Sequence, residues 1–324
     1  MEPILARRFE EKTAESYQLG KIGGFLHLYI GQEAVATGAI TALREDDYVI
    51  AAYREHAHAL VRGVSARAVM AELYGRSGGC SGGMGGSMHL FDRSVNFMGG
   101  HAIVGGHLPI AAGVGYAIRY RGGDQVCQCF FGDAAVNIGA FHESLNMAAK
   151  WQLPVVFIIE NNAYGMGTGI RRSAAISELV ERACAYEGLA ATQVDGMDVL
   201  AVRSATDEAV RVAREEKRPS LIEAITYRFM GHSMADPSHG TYRTREEVEG
   251  WRADDPIISL SDRLISAGLM DSEEYEEMDR AVIAEVEDSA AYADASPRPE
   301  ETSIYGLVYS DEYRDDPGRR DRWR

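Results

Sequence analysis

The stretch 130–168, FFGDAAVNIGAFHESLNMAAKWQLPVVFIIENNAYGMGT, decides how this chain is read. It opens at the end of an extended segment, Gln125 to Phe131, which carries Val126, Phe130 and Phe131 and stops at Gly132-Asp133. Phe141, Leu145 and Ala148 follow at steps of four and three, the spacing of one helix face. Pro154 then leads into an unbroken apolar run, Val155-Val156-Phe157-Ile158-Ile159. A run of that kind suits a parallel strand covered on both faces. Strand, helix and strand make a βαβ unit, whose connection sets both strand ends on one edge of the sheet.

Ligands of open α/β sheets bind outside the carboxyl ends of the strands. Asp133 stands at the end of the first strand, and Asn161-Asn162 at the end of the second. A carboxylate, a carboxamide and nearby carbonyls form an all-oxygen set. Mg²⁺ takes such ligands and shares its octahedral shell with water and phosphates. Singly, Gly-Asp and Asn-Asn are ordinary turn residues. Together on one βαβ unit they predict a Mg²⁺–diphosphate anchor.

Outward from this unit, helices are predicted over Ile4–Tyr17, Ala34–Leu43, Leu108–Tyr120, Ile176–Tyr186 and Val199–Arg214, and strands over Asp46–Ala52 and Leu221–Tyr227. Asp255-Pro256 places proline at a first helical position. Asp271 or Ser272 caps a helix with Tyr275, Met278, Val282 and Val286 on one face. Thr244-x-x-Glu247 has the pattern of a capping box. The segment 75–89, GRSGGCSGGMGGSMH, is glycine-dense enough for a flexible linker, and lacks the Gly-Lys-Ser/Thr of a phosphate loop. Ala111, Ala112, Gly113 and Gly115 make one stretch of the Leu108–Tyr120 helix small, which suits close helix approach between subunits. Arg54 after the strand to Ala52 offers a planar fork that matches phosphate oxygens, although alone it reads rather as a surface arginine. His56 and His58 are two apart and share no helix face, which argues against a metal pair. His142-Glu143 lacks the second histidine of a zinc hydrolase helix.

The 324 residues are 46% hydrophobic and 25% charged, as in globular proteins, with a formal net charge of −16. That acidity argues against nucleic acid and anionic membranes as partners. No apolar run has the length of a membrane span. The start, MEPILARRFEEKTAESY, resembles neither a signal nor a transit peptide, so a cytoplasmic location is expected. The four cysteines, Cys80, Cys127, Cys129 and Cys184, form no paired framework and are expected to be reduced and buried. One α/β domain over residues 1–309 is expected, with helices on both faces of a mostly parallel sheet. A charged, mobile tail over 310–324 follows it.

The central stretch resembles the thiamine-diphosphate motif, Gly-Asp-Gly to Asn-Asn, with Ala134 at the second glycine. If that backbone needed positive φ, alanine would carry a cost. More closely, the chain resembles the α subunits of pyruvate dehydrogenase E1. The matching blocks are Asn146-Met147-Ala148-Ala149, Glu160-Asn161-Asn162, Tyr164-Gly165-Met166-Gly167-Thr168, Gly31-Gln32-Glu33-Ala34, Gly85-Gly86-Ser87-Met88-His89, Val194-Asp195-Gly196-Met197-Asp198 and Gly231-His232-Ser233-Met234-Ala235-Asp236-Pro237. Tyr242-Arg243-Thr244-Arg245-Glu246-Glu247 also matches, and the likeness runs from about Phe9 to Ile257.

The resemblance implies residue roles. Asp133, Asn162 and the Tyr164 carbonyl would hold Mg²⁺. Tyr53, Arg54, Gly132, Ala134, Ala135 and His232 would hold thiamine diphosphate, and Ile103 and Val104 would shape its bend. His27, His89 and His232 would serve substrate and intermediate, with His232 handling protons. His101-Ala102 replaces the family's Asn-Gly beside the substrate, and Ser233 occupies a position phosphorylated in eukaryotic members. The implied activity is oxidative decarboxylation of pyruvate with acetyl transfer to the lipoyl E2 acyltransferase. The implied assembly is an α₂β₂ heterotetramer in which an E1 β subunit supplies the activating glutamate, so that this chain alone is inactive. Acetoin or branched-chain 2-oxo acid dehydrogenase α subunits are the enzymatic alternative. A catalytically silent partner-binding subunit is the alternative of another class.

Overall fold

The computed structural model describes residues 1–306; the expected tail over 310–324 lies outside them. Six strands form one parallel sheet: β1 (Tyr48–Ala52), β2 (Phe97–His101), β3 (Cys127–Gly132), β4 (Val155–Asn161), β7 (Ala190–Asp195) and β8 (Ser220–Ile225), in the order β2-β1-β3-β4-β8-β7. A two-stranded hairpin, β5 (Tyr164–Gly165) with β6 (Thr168–Gly169), follows β4. The helices are α1 (Glu2–Gln18), α2 (Glu33–Ile40), α3 (His56–Arg62), α4 (Ala66–Leu73), α5 (Leu108–Tyr120), α6 (Gly139–Lys150), the short α7 (Ile170–Ser173), α8 (Val199–Glu215), α9 (Arg245–Arg252), α10 (Pro256–Ser266) and α11 (Ser272–Ala295).

β4 shows why both faces are covered. Its seven residues are all buried. Val156 and Ile158 join the core formed with α1 to α4, α8 and α11. Val155, Phe157 and Ile159 join the opposite core, with Phe141, Leu145 and Ala148 of α6 and Leu108, Ala111 and Ala112 of α5. Alternate side chains of a strand point to opposite faces, so a continuous apolar run is what such a central strand requires.

Several expectations need correction. β2 and β7 were not foreseen. The helix expected over Ile176–Tyr186 is a 3₁₀ segment, Leu179–Ala185. The glycine-dense segment is no flexible linker. The buried Glu72 carboxylate accepts hydrogen bonds from the backbone N–H groups of Ser81, Gly83, Gly85 and Gly86, at 2.6 to 3.2 Å, and pins the loop. Gly115 of α5 serves close packing inside this chain, because a Cβ there would lie 2.5 Å from Val155 Cγ2. Cys127 and Cys129 are buried, but Cys80 is half-buried and Cys184 exposed.

Half of the predicted capping box forms. Thr244 Oγ1 accepts the Glu247 N–H at 3.1 Å. The Glu247 carboxylate, instead of returning to the cap, accepts from Tyr164 Oη at 2.9 Å and Tyr227 Oη at 2.8 Å. It thereby ties α9 to the hairpin after β4. Hydrogen bonds to a charged acceptor contribute more than neutral ones, so E247A is expected to cost about 2 kcal/mol and E247Q about half as much, measured by urea unfolding.

A buried acid from the turn after β1 lies against the backbone of β2 at Gly100. Glu55 is fully buried; its Oε1 accepts the Leu90 N–H at 3.2 Å, and its Oε2 has no partner among the described residues. Burial pushes this carboxyl up to about 8. The folded state therefore holds a proton that the unfolded chain releases at ordinary carboxylate pH. This contribution to stability is complete below about pH 4.5 and is lost as pH rises through about 8. Urea unfolding across that window should show about one proton more bound by folded wild type than by E55Q.

Candidate functional site

The carboxyl ends of β1, β3 and β4 lie side by side, since β1 pairs with β3 and β3 with β4, all parallel. β1 connects to β2 on one side, while β3 and β4 continue on the other. The crevice between β1 and β3 is thus a topological switch point, where open α/β sheets bind ligands. A cavity of about 260 Å³ opens there. Tyr53 and Arg54 enter it from the end of β1, Gly132 to Ala135 from β3, and Glu160 and Asn162 from β4. Tyr164, Gly165 and Met166 form a further wall.

Asp133 is buried with no ion-pair partner among the described residues, and burial raises its carboxyl to about 6. Backbone N–H groups of Asp133 and Asn162 and the charge of Arg228 hold that rise back. Asn162 is also buried. Its Nδ2 donates to Gln32 Oε1 at 2.7 Å, and its Oδ1 faces the Tyr164 N–H at 3.4 Å. Ala163 and Met166, on either side of Tyr164-Gly165, have φ of 67° and 56°. Non-glycine residues in that region carry strain and cluster at ligand sites. Ala134 does not have positive φ; it sits in the 3₁₀ segment Asp133–Asn137, so the feared backbone cost does not arise. A Cβ on Gly165 would lie 2.5 Å from Ala134 Cβ. The glycine that admits this close approach is therefore Gly165, across the cavity wall from Ala134.

Two guanidinium groups line the same cavity, neither with a carboxylate partner among the described residues. Arg54 donates to the carbonyls of Leu28 at 2.6 Å and His232 at 2.8 Å. Arg228, the largest fully buried side chain among the described residues, donates to His232 Nδ1 at 3.2 Å and to Tyr242 Oη at 3.2 Å. Burial lowers Arg54 below its ordinary value and lowers Arg228 to about 10. Burial, then the charges of Arg54 and Arg228, hold His232 down at about 4. His232 is therefore neutral near neutral pH. Because Nδ1 accepts from Arg228, the ring proton sits on Nε2. This tautomer offers a hydrogen-bond donor from Nε2.

The sequence-derived residues do not all meet. Tyr53, Arg54, Val104, Gly132, Asp133, Ala134, Ala135, Asn162, Tyr164 and His232 line the cavity. His27 is packed behind it, its ring 4.6 Å from Tyr53 and 5.0 Å from His232, and burial with the Arg54 charge lowers it to about 3. His89 is turned to β2, with Nδ1 on the Gly100 carbonyl at 3.2 Å. Ile103 is 76% exposed outside the cavity. Arg228, Gln32 and Glu160 line it but were not foreseen as site residues. Glu160 accepts from Tyr29 Oη and from His58 Nε2.

A larger hollow of about 570 Å³ lies at the ends of β7 and β8, lined by Asp195, Trp251 and the Asp198–Arg263 ion pair. The smaller cavity gathers a buried carboxylate with no ion-pair partner among the described residues and two buried cations. Among the described residues no group of three or more His, Cys, Asp and Glu is placed to hold a metal. The cavity offers instead one carboxylate, Asp133, and one carboxamide, Asn162, with Tyr164 in its wall. Its hard oxygen donors, with two guanidinium groups beside them, fit a divalent cation that carries a diphosphate.

The family described as the dehydrogenase E1 component matches residues 1–302. The chain is 48% identical over 305 residues to the pyruvate dehydrogenase E1 component subunit alpha of Rhizobium meliloti (strain 1021), across 94% of this chain and 87% of that one. It is 44% identical to the protein of that name from Porphyra purpurea, across 95% and 91%. It is 45% identical to the somatic, mitochondrial form of Homo sapiens, across 94% and 77%. With this coverage, and with the motif residues gathered at one sheet edge, the chain belongs to the dehydrogenase E1 component family.

Proposed function

We propose that this chain is the α subunit of a pyruvate dehydrogenase (acetyl-transferring) E1. In that role it binds thiamine diphosphate through Mg²⁺ and acts with an E1 β subunit and a lipoyl E2 acyltransferase. The observation that carries the reading is the convergence of Asp133, Asn162, Arg54 and Arg228 on one cavity at the sheet's switch point. Asp133, Asn162 and Tyr164 would hold the cation, and Arg54, Arg228 and Tyr53 the diphosphate. Bound thiamine diphosphate supplies the nucleophilic carbon and the electron sink for decarboxylation. His232 presents Nε2–H to the ligand, and its low proton affinity keeps it from competing for a proton until anionic charge arrives. The exposed Ile103 and half-exposed Val104 stand at the rim, where the cofactor and the partner subunit would cover them. Residues 1–309 acting as one unit, and a cytoplasmic location, belong to the same proposal. No helix among the described residues is long and apolar enough to cross a membrane.

The test is calorimetric titration of thiamine diphosphate with Mg²⁺ into this chain coexpressed with its β subunit, followed by CO₂ release from pyruvate, acetoin and branched-chain 2-oxo acids. Metal-dependent binding with turnover of pyruvate is expected. Turnover of another substrate alone would replace the substrate assignment. A folded complex that takes up no cofactor would overturn the catalytic reading in favour of a silent subunit.

A further inference from the structure

We propose that Gln32 is a positioning residue that decides which atom of Asn162 faces the metal site. The inference rests on the cofactor reading above. A carboxamide beside a cation must present its oxygen. Its two ends have nearly the same shape, so something else must set the orientation. Here two groups do so. The Tyr164 N–H, a donor, lies 3.4 Å from Asn162 Oδ1. Gln32 Oε1, an acceptor, lies 2.7 Å from Asn162 Nδ2. Turning the Asn162 amide over would set donor against donor and oxygen against oxygen. The Gln32 contact is the shorter of the two and is fully buried, with Gln32 1% exposed.

The backbone that carries Gln32 is held firmly. It precedes α2 at the turn made by Gly31, whose φ is 102°. A side chain on Gly31 would collide with the Tyr227 carbonyl and the Phe229 ring. Glu33 Oε2 accepts the Gly31 N–H at 2.9 Å, and Glu33 Oε1 pairs with Arg7, which also pairs with Asp255. The Gly-Gln-Glu sequence thus has a division of labour. Glycine makes the turn, glutamate fastens it to α1 and α10, and glutamine carries the orientation to the cavity. Groups that orient a metal ligand from behind change metal affinity on the order of 10- to 100-fold when removed.

The experiment titrates Mn²⁺ into the complex with the β subunit in the presence of thiamine diphosphate, with free Mn²⁺ read by electron paramagnetic resonance. Q32L and Q32M both remove the amide oxygen, so either one that assembles serves. Each is expected to weaken Mn²⁺ on the order of 10- to 100-fold. Q32E, which keeps an acceptor for Nδ2, should lose less affinity than Q32L or Q32M. In an N162D background both ligand atoms are oxygen and orientation no longer matters. There, Q32L should shift Mn²⁺ affinity by less than about twofold, a non-additivity that a merely structural role would not produce. Wild-type affinity in Q32L or Q32M, or an equal loss in the N162D background, would overturn the inference alone. A wild-type complex that binds no Mn²⁺ with thiamine diphosphate would overturn the cofactor reading and the inference with it.

Discussion

Asp133→Asn is expected to abolish metal-dependent uptake of thiamine diphosphate, weakening it by at least on the order of 100-fold, while leaving the ligand-free chain no less stable than wild type. The two effects have one cause. Asp133 is buried with no ion-pair partner among the described residues, and burial, only partly offset by the charge of Arg228, raises its carboxyl to about 6. At neutral pH the fold holds an ionised group in a place that disfavours ionisation. Asparagine keeps the shape and removes the charge, so the penalty goes, on the order of 2 kcal/mol. The backbone N–H groups that now serve the carboxylate can still donate to the amide oxygen. A divalent cation, however, loses the only carboxylate on the proposed ligand set. Urea unfolding of the ligand-free chain and calorimetry of the complex with the β subunit test the two halves separately. A loss of stability as large as the loss of affinity would mean that Asp133 is structural and that the site lies elsewhere.

That a residue should weaken the empty fold and strengthen the filled one is also why part of this site was legible in the sequence. Asp133 and Asn162 stand directly at the ends of β3 and β4, and both strands announce themselves through local apolar runs. Whatever follows such a strand lies on the binding edge. Sequence signals are silent where the determining contact is distant. β2 is Phe-Met-Gly-Gly-His, with too little apolar content to mark a strand. Its glycines answer to packing: a Cβ on Gly99 would meet the Phe91 ring, and one on Gly100 the Glu55 carboxyl. β7 is an edge strand whose side chains are half or fully exposed, so no burial pattern marks it. Glu247 has the spacing of a capping partner, yet two tyrosines from elsewhere in the chain take its carboxylate. Gln32 sits in a recognisable block, but its role depends on Asn162, 130 residues away.

Arg228→Met separates binding from stability on the cationic side of the cavity. Arg228 was not singled out because it follows β8 by a few residues in an unremarkable Tyr-Arg-Phe, and only the fold brings it beside Arg54. Burial chiefly, and then the charge of Arg54, lower its proton affinity to about 10. Two buried like charges, with no carboxylate partner among the described residues, repel each other and suit an anion. Methionine fills much of the volume and relieves the repulsion, at the loss of hydrogen bonds to His232 Nδ1 and Tyr242 Oη. The expected result is a drop in thiamine diphosphate affinity on the order of 100-fold, the loss of about 3 kcal/mol of charge-assisted hydrogen bonding. Ligand-free stability should change by less than about 1 kcal/mol, because lost bonds and relieved repulsion oppose each other. R228K keeps the charge but not the planar fork, so it should fall between the two. His232 reports the change independently. Its proton affinity is held down by burial first and by Arg54 and Arg228 next, so in R228M its ring should titrate at higher pH, followed by NMR of the imidazole protons. An unmoved His232 titration would mean that the Arg228–His232 contact does not set the ring's charge, and the Nε2–H donor assigned to the cavity would lose its basis.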